Sequence, residues 1–167
     1  LAAIEKAVDT NTKMIFVCSP NNPTANIMDA DAIEKLCETY ADTALIIVDE
    51  TYIEFSDQPS SIAKLDQFAN LVVLRTLSKS HAAAGLRCGA AVARGDVTSL
   101  LQKVLAPYPV ATPVMQAALT ILKPENTAKL AEKRADIVTR RNGYAKEFAK
   151  LDDVQSVLPS DANYLLL

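Results

Sequence analysis

Lys79 has the most chemistry to offer in this sequence. It follows the apolar run Leu71–Leu74 through a short polar step, Arg75-Thr76-Leu77-Ser78, and Arg87 comes eight residues later. A lysine amine at a strand end becomes a nucleophile where packing on both sides of the strand lowers its pKa. On its own such a residue reads as a surface loop lysine. Its weight comes from two further polar clusters, each at the end of an apolar run of strand length. Ser19-Pro20-Asn21-Asn22-Pro23-Thr24 follows Lys13–Cys18, and Asp49-Glu50-Thr51-Tyr52 follows Ala44–Val48.

The intervening elements decide where these clusters go. Lys13–Cys18 and Ala44–Val48 are continuous apolar runs, the pattern of strands buried on both faces. Between them Ile33, Leu36, Cys37 and Tyr40 recur at helical spacing, with Asp29 or Asp31 available as a cap. Strand, helix, strand makes a βαβ unit, so the two strands run parallel. Ser60–Phe68 is a weak helix candidate before the third strand, Leu71–Leu74. The fourth, Arg87–Ala93, follows too soon for a crossover helix and should return antiparallel. The fold class is therefore α/β with a mostly parallel sheet.

Ligands of open α/β sheets bind outside the carboxyl ends of the strands. That edge gathers Asn22, Asp49, Tyr52, Thr76, Ser78 and Lys79, with Arg87 opening the return strand. An amide, a carboxylate, a phenol, hydroxyls, an amine and a guanidinium suit a ligand with a cationic ring nitrogen, a phenolate oxygen and a phosphate.

Helices are expected over residues 1–9, 97–105 and 113–122, where Pro113 suits a first turn. A longer one is expected from about Glu125 to Lys150. Leu130, Ile137, Tyr144 and Leu151 repeat every seven residues along it and read as a core stripe, Gly143 arguing against a coiled coil. Val154–Leu158 and Asn163–Leu167 look like strands of a second unit. The domain reading is residues 1–124 for one unit and 125–167 for a linking helix and the start of another. The opening at Leu1, inside a helical pattern, and the close at Leu167, inside an apolar run, lead us to expect an internal fragment.

Composition narrows the function classes. Half of the 167 residues are apolar, 22% are charged and the net charge is −3. There is no basic stripe for nucleic acid and no apolar run long enough to span a bilayer. The three cysteines lack any ligand spacing, so neither a disulfide frame nor a metal site is supported; reduced thiols in the cytoplasm are the simpler account.

At this point the chain resembles a known family. The SPNNPT turn, Val48-Asp49-Glu50-Thr51-Tyr52-Ile53-Glu54-Phe55, and Leu74-Arg75-Thr76-Leu77-Ser78-Lys79 with Gly85-Leu86-Arg87-Cys88-Gly89 look like the fold-type-I pyridoxal-phosphate aminotransferases. Among these the wording is closest to the histidinol-phosphate aminotransferases. The resemblance implies a three-layer α/β/α large domain, present in part, and the start of a small α+β domain. It implies pyridoxal 5′-phosphate as cofactor, with Lys79 bonding it covalently and later moving the substrate Cα proton. Asp49 would pair with the pyridine nitrogen, Asn22 and Tyr52 would bind the 3′ oxygen, and Ser78, Arg87 and Thr76 would hold the phosphate. The implied partners are an amino donor, L-histidinol phosphate first, then 2-oxoglutarate and a second subunit in a homodimer. A threonine-phosphate decarboxylase-like enzyme and a catalytically silent α/β domain are the alternatives.

Two departures stand out. Ala25 occupies a position where relatives usually carry glycine, and Ser80-His81-Ala82-Ala83-Ala84 replaces the usual aromatic and glycine after the lysine. Alanine resists a positive φ that glycine adopts freely. His81, the only histidine, is left without a role, because Lys79 already serves as base.

Overall fold

Four strands, Met14–Cys18 (β1), Leu45–Asp49 (β2), Leu71–Thr76 (β3) and Gly89–Ala93 (β4), form one sheet in sequence order. This is the arrangement in a computed structural model that describes all residues, 1–167. β1 pairs with β2 and β2 with β3 in parallel, whereas β3 and β4 are antiparallel. The register sets Cys18 beside Asp49 and Asp49 beside Leu74, so β1 and β2 end level and β3 runs two residues further, to Thr76, at the same edge.

The pleat sorts the side chains. Ile15 and Val17, Ile46 and Val48, and Leu71 and Val73 face one side, where Ile33, Leu36 and Cys37 of helix α1 (Ala30–Thr39) pack on them. Asp29 caps this helix by accepting from the Asp31 amide. Buried Asn70 closes the far end of this layer, its amide nitrogen donating to the carbonyls of Cys37 and Ala44 at 3.1 Å each. The other side is covered over β2 and β3 by Val97 of helix α2 (Gly95–Val104), which meets Ile47 and Val72. That cover stops short of β1. Met14 and Phe16 are 57% and 65% exposed, so β1 is buried on one face only, not on both as its apolar run suggested.

Helix α3 (Thr112–Ile121) and the long helix α4 (Pro124–Phe148) follow, each with proline in its first turn. The N-terminal helical pattern forms a short helix, Ala2–Ala7, and Ser61–Lys64 is a single 3₁₀ turn. No helix is long and apolar enough to cross a membrane. The seven-residue stripe on α4 is not core: Ile137, Tyr144 and Leu151 are well exposed. Val138, one position on, is the residue that packs inward, against Ala25, Tyr52, Phe55 and Ala162. Residues 152–167 contain no strand; one main-chain bond, Leu158 N to Leu166 O at 3.0 Å, links the two segments expected to be strands.

Two tight turns adopt backbone that alanine resists. Ala25 has φ 58° and Ala82 has φ 53°. Ala25 is fully buried, whereas Ala82 is exposed and belongs to no buried cluster. Replacing Ala82 with glycine removes a left-handed alanine without opening a cavity. We expect Ala82→Gly to stabilise the protein by about 0.5–1 kcal/mol in urea unfolding; a destabilised variant would contradict this account of the turn.

Candidate active site

β2 ends in two carboxylates that the pleat sends to opposite faces. Glu50, 1% exposed, joins the α1 side, where its oxygens accept from Ser60 Oγ at 2.5 Å and the Ser61 amide at 2.6 Å. Arg75 of β3 faces the same way, with Nη1 3.5 Å from Glu50 and Nη2 bonded to Glu54. This buried network occupies Glu50 and leaves Asp49 on the other face, level with Leu74 and two residues short of Thr76. Asp49 is half-buried. Its Oδ1 accepts from both the Thr51 amide (3.0 Å) and the Thr51 hydroxyl (2.6 Å), which fixes the carboxylate at the strand end.

The loop after β1 delivers the amide. Asn21 N donates to Asn26 O at 2.8 Å and Ala25 N to Asn21 O at 2.7 Å, closing a tight turn with cis bonds before Pro20 and Pro23. From this turn Asn22 Nδ2 donates to the Tyr52 hydroxyl at 3.1 Å. The Tyr52 ring is buried, and Lys79 Nζ lies 5.5 Å from its centroid. Three sequence-predicted residues from three different strand ends thus meet directly. Lys79 itself is exposed, not packed on both sides.

The β3–β4 turn supplies the hydroxyls. Thr76 Oγ1 donates to Ser78 Oγ at 3.0 Å and accepts from the Ser78 amide at 3.1 Å. Gly89 pairs with Thr76 across the strands. A Cβ there would sit 2.8 Å from Arg75 O, so this close approach needs glycine. Arg87 is exposed with φ 50°, and its guanidinium bonds back to Ala84 O at 3.0 Å rather than to the hydroxyl pair. His81 Nδ1 is 2.9 Å from Ser80 Oγ, and burial pushes its pKa down.

Sequence reasoning missed a second layer around these groups. Thr51, Glu50 and Arg75 were unassigned, and Tyr164 was read as part of a strand in another unit. Tyr164 packs edge-to-face on Tyr52, with ring centroids 5.4 Å apart. Burial and the nearby Tyr52 push its pKa up. The only sequence signal was its place, a lone phenol in an apolar run.

The chain is 42% identical over all 167 residues to a histidinol-phosphate aminotransferase of Pectobacterium carotovorum, and covers 46% of that protein. A second such enzyme, from Legionella pneumophila, is 40% identical and is covered to 45%. The chain thus spans just under half the length of these curated relatives. Among solved structures, L-threonine-O-3-phosphate decarboxylase from Porphyromonas gingivalis superposes with a TM-score of 0.81 at 25% identity, over 95% of this chain and 48% of that one. Histidinol-phosphate aminotransferase from Sinorhizobium meliloti, in complex with pyridoxal-5′-phosphate, shares the fold with a TM-score of 0.83 at 23% identity, over 99% and 44%. The family model for aminotransferase class I and II matches residues 1–167 without a break, and the chain belongs to that pyridoxal-phosphate-dependent family.

Proposed function

We propose that the whole protein is a cytoplasmic, homodimeric aminotransferase of histidine biosynthesis, moving an amino group from L-histidinol phosphate to 2-oxoglutarate. The observation that carries the cofactor reading is the junction of Asn22, Tyr52 and Lys79: an amide bonded to a phenol, with a lysine amine beside the ring. The choice of amino donor rests on the 42% identity to a histidinol-phosphate aminotransferase along the entire chain. In this reading residues 1–124 belong to the cofactor-binding unit, and 125–167 lead into the substrate-side unit.

The donor set fits pyridoxal 5′-phosphate. Asn22 and Tyr52 form a pair of donors for an anionic 3′ oxygen, and Asp49, held through Oδ1 by Thr51, offers a carboxylate to a protonated ring nitrogen. Thr76 and Ser78 present adjacent hydroxyls, and the exposed Arg87 guanidinium adds a charged fork for the phosphate. When bound, the cofactor supplies an aldehyde carbon for the amine and a ring that accepts the electron pair left at the substrate Cα.

The protein's own residues then have separable tasks. Lys79 anchors the cofactor through its amine. When its amine is free, Lys79 would be the base that takes the substrate Cα proton and hands it on to the adjoining cofactor carbon. Asp49 would hold a proton on the ring nitrogen, which would ease proton loss from the substrate Cα. Asn22 and Tyr52 stabilise negative charge on the 3′ oxygen. A decarboxylating relative could use the same cofactor set, so the amino donor is the point to test.

Borohydride reduction of the full-length protein with pyridoxal phosphate should bleach its visible band and fix the cofactor on Lys79 in a peptide map. An adduct on any other residue, or none, would remove the central assignment. Asp49→Ala should still be labelled on Lys79 but lose at least about 100-fold in the amino-transfer half-reaction; an unimpaired variant would sink the role given to Asp49. With L-histidinol phosphate and 2-oxoglutarate, a coupled assay should record glutamate without carbon dioxide. Carbon dioxide release from threonine phosphate instead would favour the decarboxylase reading.

A further inference from the structure

One side chain from the far end of the sequence ties together both halves of the Asn22–Tyr52 pair. Tyr164 sets its ring edge-on against Tyr52, at an interplanar angle of 82°, and its hydroxyl donates to the carbonyl of Asn21 at 2.8 Å. It therefore touches the ring of one donor and the residue preceding the other. The segment that carries it is anchored. Ala162 is fully buried, Asp161 N donates to Ala25 O at 2.8 Å, and Ser160 Oγ donates to Tyr164 O at 2.6 Å. From α4, Arg141 Nη1 donates to Ala162 O at 2.6 Å and to Phe55 O at 3.4 Å, bridging this segment to the turn after Tyr52.

We propose that Tyr164 is a positioning residue for the cofactor's 3′-oxygen site, fixing the distance and angle at which Asn22 and Tyr52 donate. The inference rests on the cofactor reading above. Donors held in place stabilise the anionic oxygen, so the bound chromophore loses its proton at a lower pH. Tyr164→Phe keeps the ring contact with Tyr52 and deletes only the bond to Asn21 O. The Asn21–Ala25 turn is then free to drift, the donation weakens, and the protonated chromophore is favoured.

The test is the pH titration of the visible band in the full-length holoenzyme. Tyr164→Phe should raise the titration midpoint by about half a pH unit. Arg141→Lys keeps Tyr164 but removes the planar fork that bridges Ala162 and Phe55, and should move the midpoint the same way by less. Thermal midpoints recorded alongside separate this from a packing role. A Tyr164→Phe enzyme that melts earlier but titrates like wild type overturns the proposal, as does an unchanged midpoint in both variants. A wild-type protein with no visible band and no Lys79 adduct overturns the cofactor reading instead, so the two failures are distinguishable.

Discussion

The parallel register of β1, β2 and β3 is the constraint on which the site depends. Each strand is followed by a polar turn, and parallel pairing puts all three turns at one edge. A one-residue slip of β2 would send Asp49 to the α1 face and Glu50 to the site face. The register is held from both layers. Ile46 and Val48 lock into α1, and the Glu50 carboxylate is tied to Ser60, Ser61 and Arg75. Breaking a buried, bonded charge of this kind costs about 3–5 kcal/mol, so the slipped state is strongly disfavoured.

That network also explains why adjacent carboxylates take unrelated roles. Glu50 is surrounded by donors and a guanidinium, so it is buried and structural. Asp49 meets only the Thr51 amide and hydroxyl, both on one oxygen, and its other oxygen accepts no hydrogen bond from the protein. The same division repeats on β3, where Arg75 serves the α1 side and Thr76 the site side. Two neighbouring strands thus divide their polar residues by the parity of the pleat.

Much of this was legible in the sequence. The strand–turn order put Asn22, Asp49, Tyr52, Thr76, Ser78 and Lys79 at one sheet edge, where the structure joins Asn22, Tyr52 and Lys79 and pairs Thr76 with Ser78, while Arg87 bonds back to Ala84; the short link before β4 gave its antiparallel sense. The misreadings share a cause: apolar pattern reports that a residue can be buried, not what is present to bury it. The run in β1 looked doubly buried, yet Met14 and Phe16 face away from the layer, built from α1 and the N-terminal helix, that covers that strand. On α4 the apolar stripe lost its place to Val138 and Arg141, because this helix docks on loops with free carbonyls, which a guanidinium satisfies better than a hydrocarbon does. Tyr164 was illegible for the same reason, since its partner, Asn21 O, is a backbone atom in a loop 143 residues away.

The two alanines in left-handed turns show how a departure from a family pattern acquires different meanings. Both positions carry a strain of about 1–2 kcal/mol that glycine would not. At Ala25 the methyl is enclosed by Tyr52, Phe55 and Ala162, and burying one such group contributes about 0.8 kcal/mol. Much of the strain is offset there, and the methyl becomes part of the surface that holds Tyr52 in place. Ala82 has no such neighbours, so its strain is uncompensated. Its turn is fixed by Ala82 N donating to Lys79 O at 3.0 Å and Ala83 N to Leu77 O at 3.0 Å. Those two bonds close the chain immediately after Lys79, and buried Leu77 and Ala83 pack with Ala118 of α3 to brace them. The lysine therefore projects from a turn whose backbone is held on both sides, although the side chain itself is exposed. The position of the lysine amine is set by that braced backbone rather than by packing around the amine.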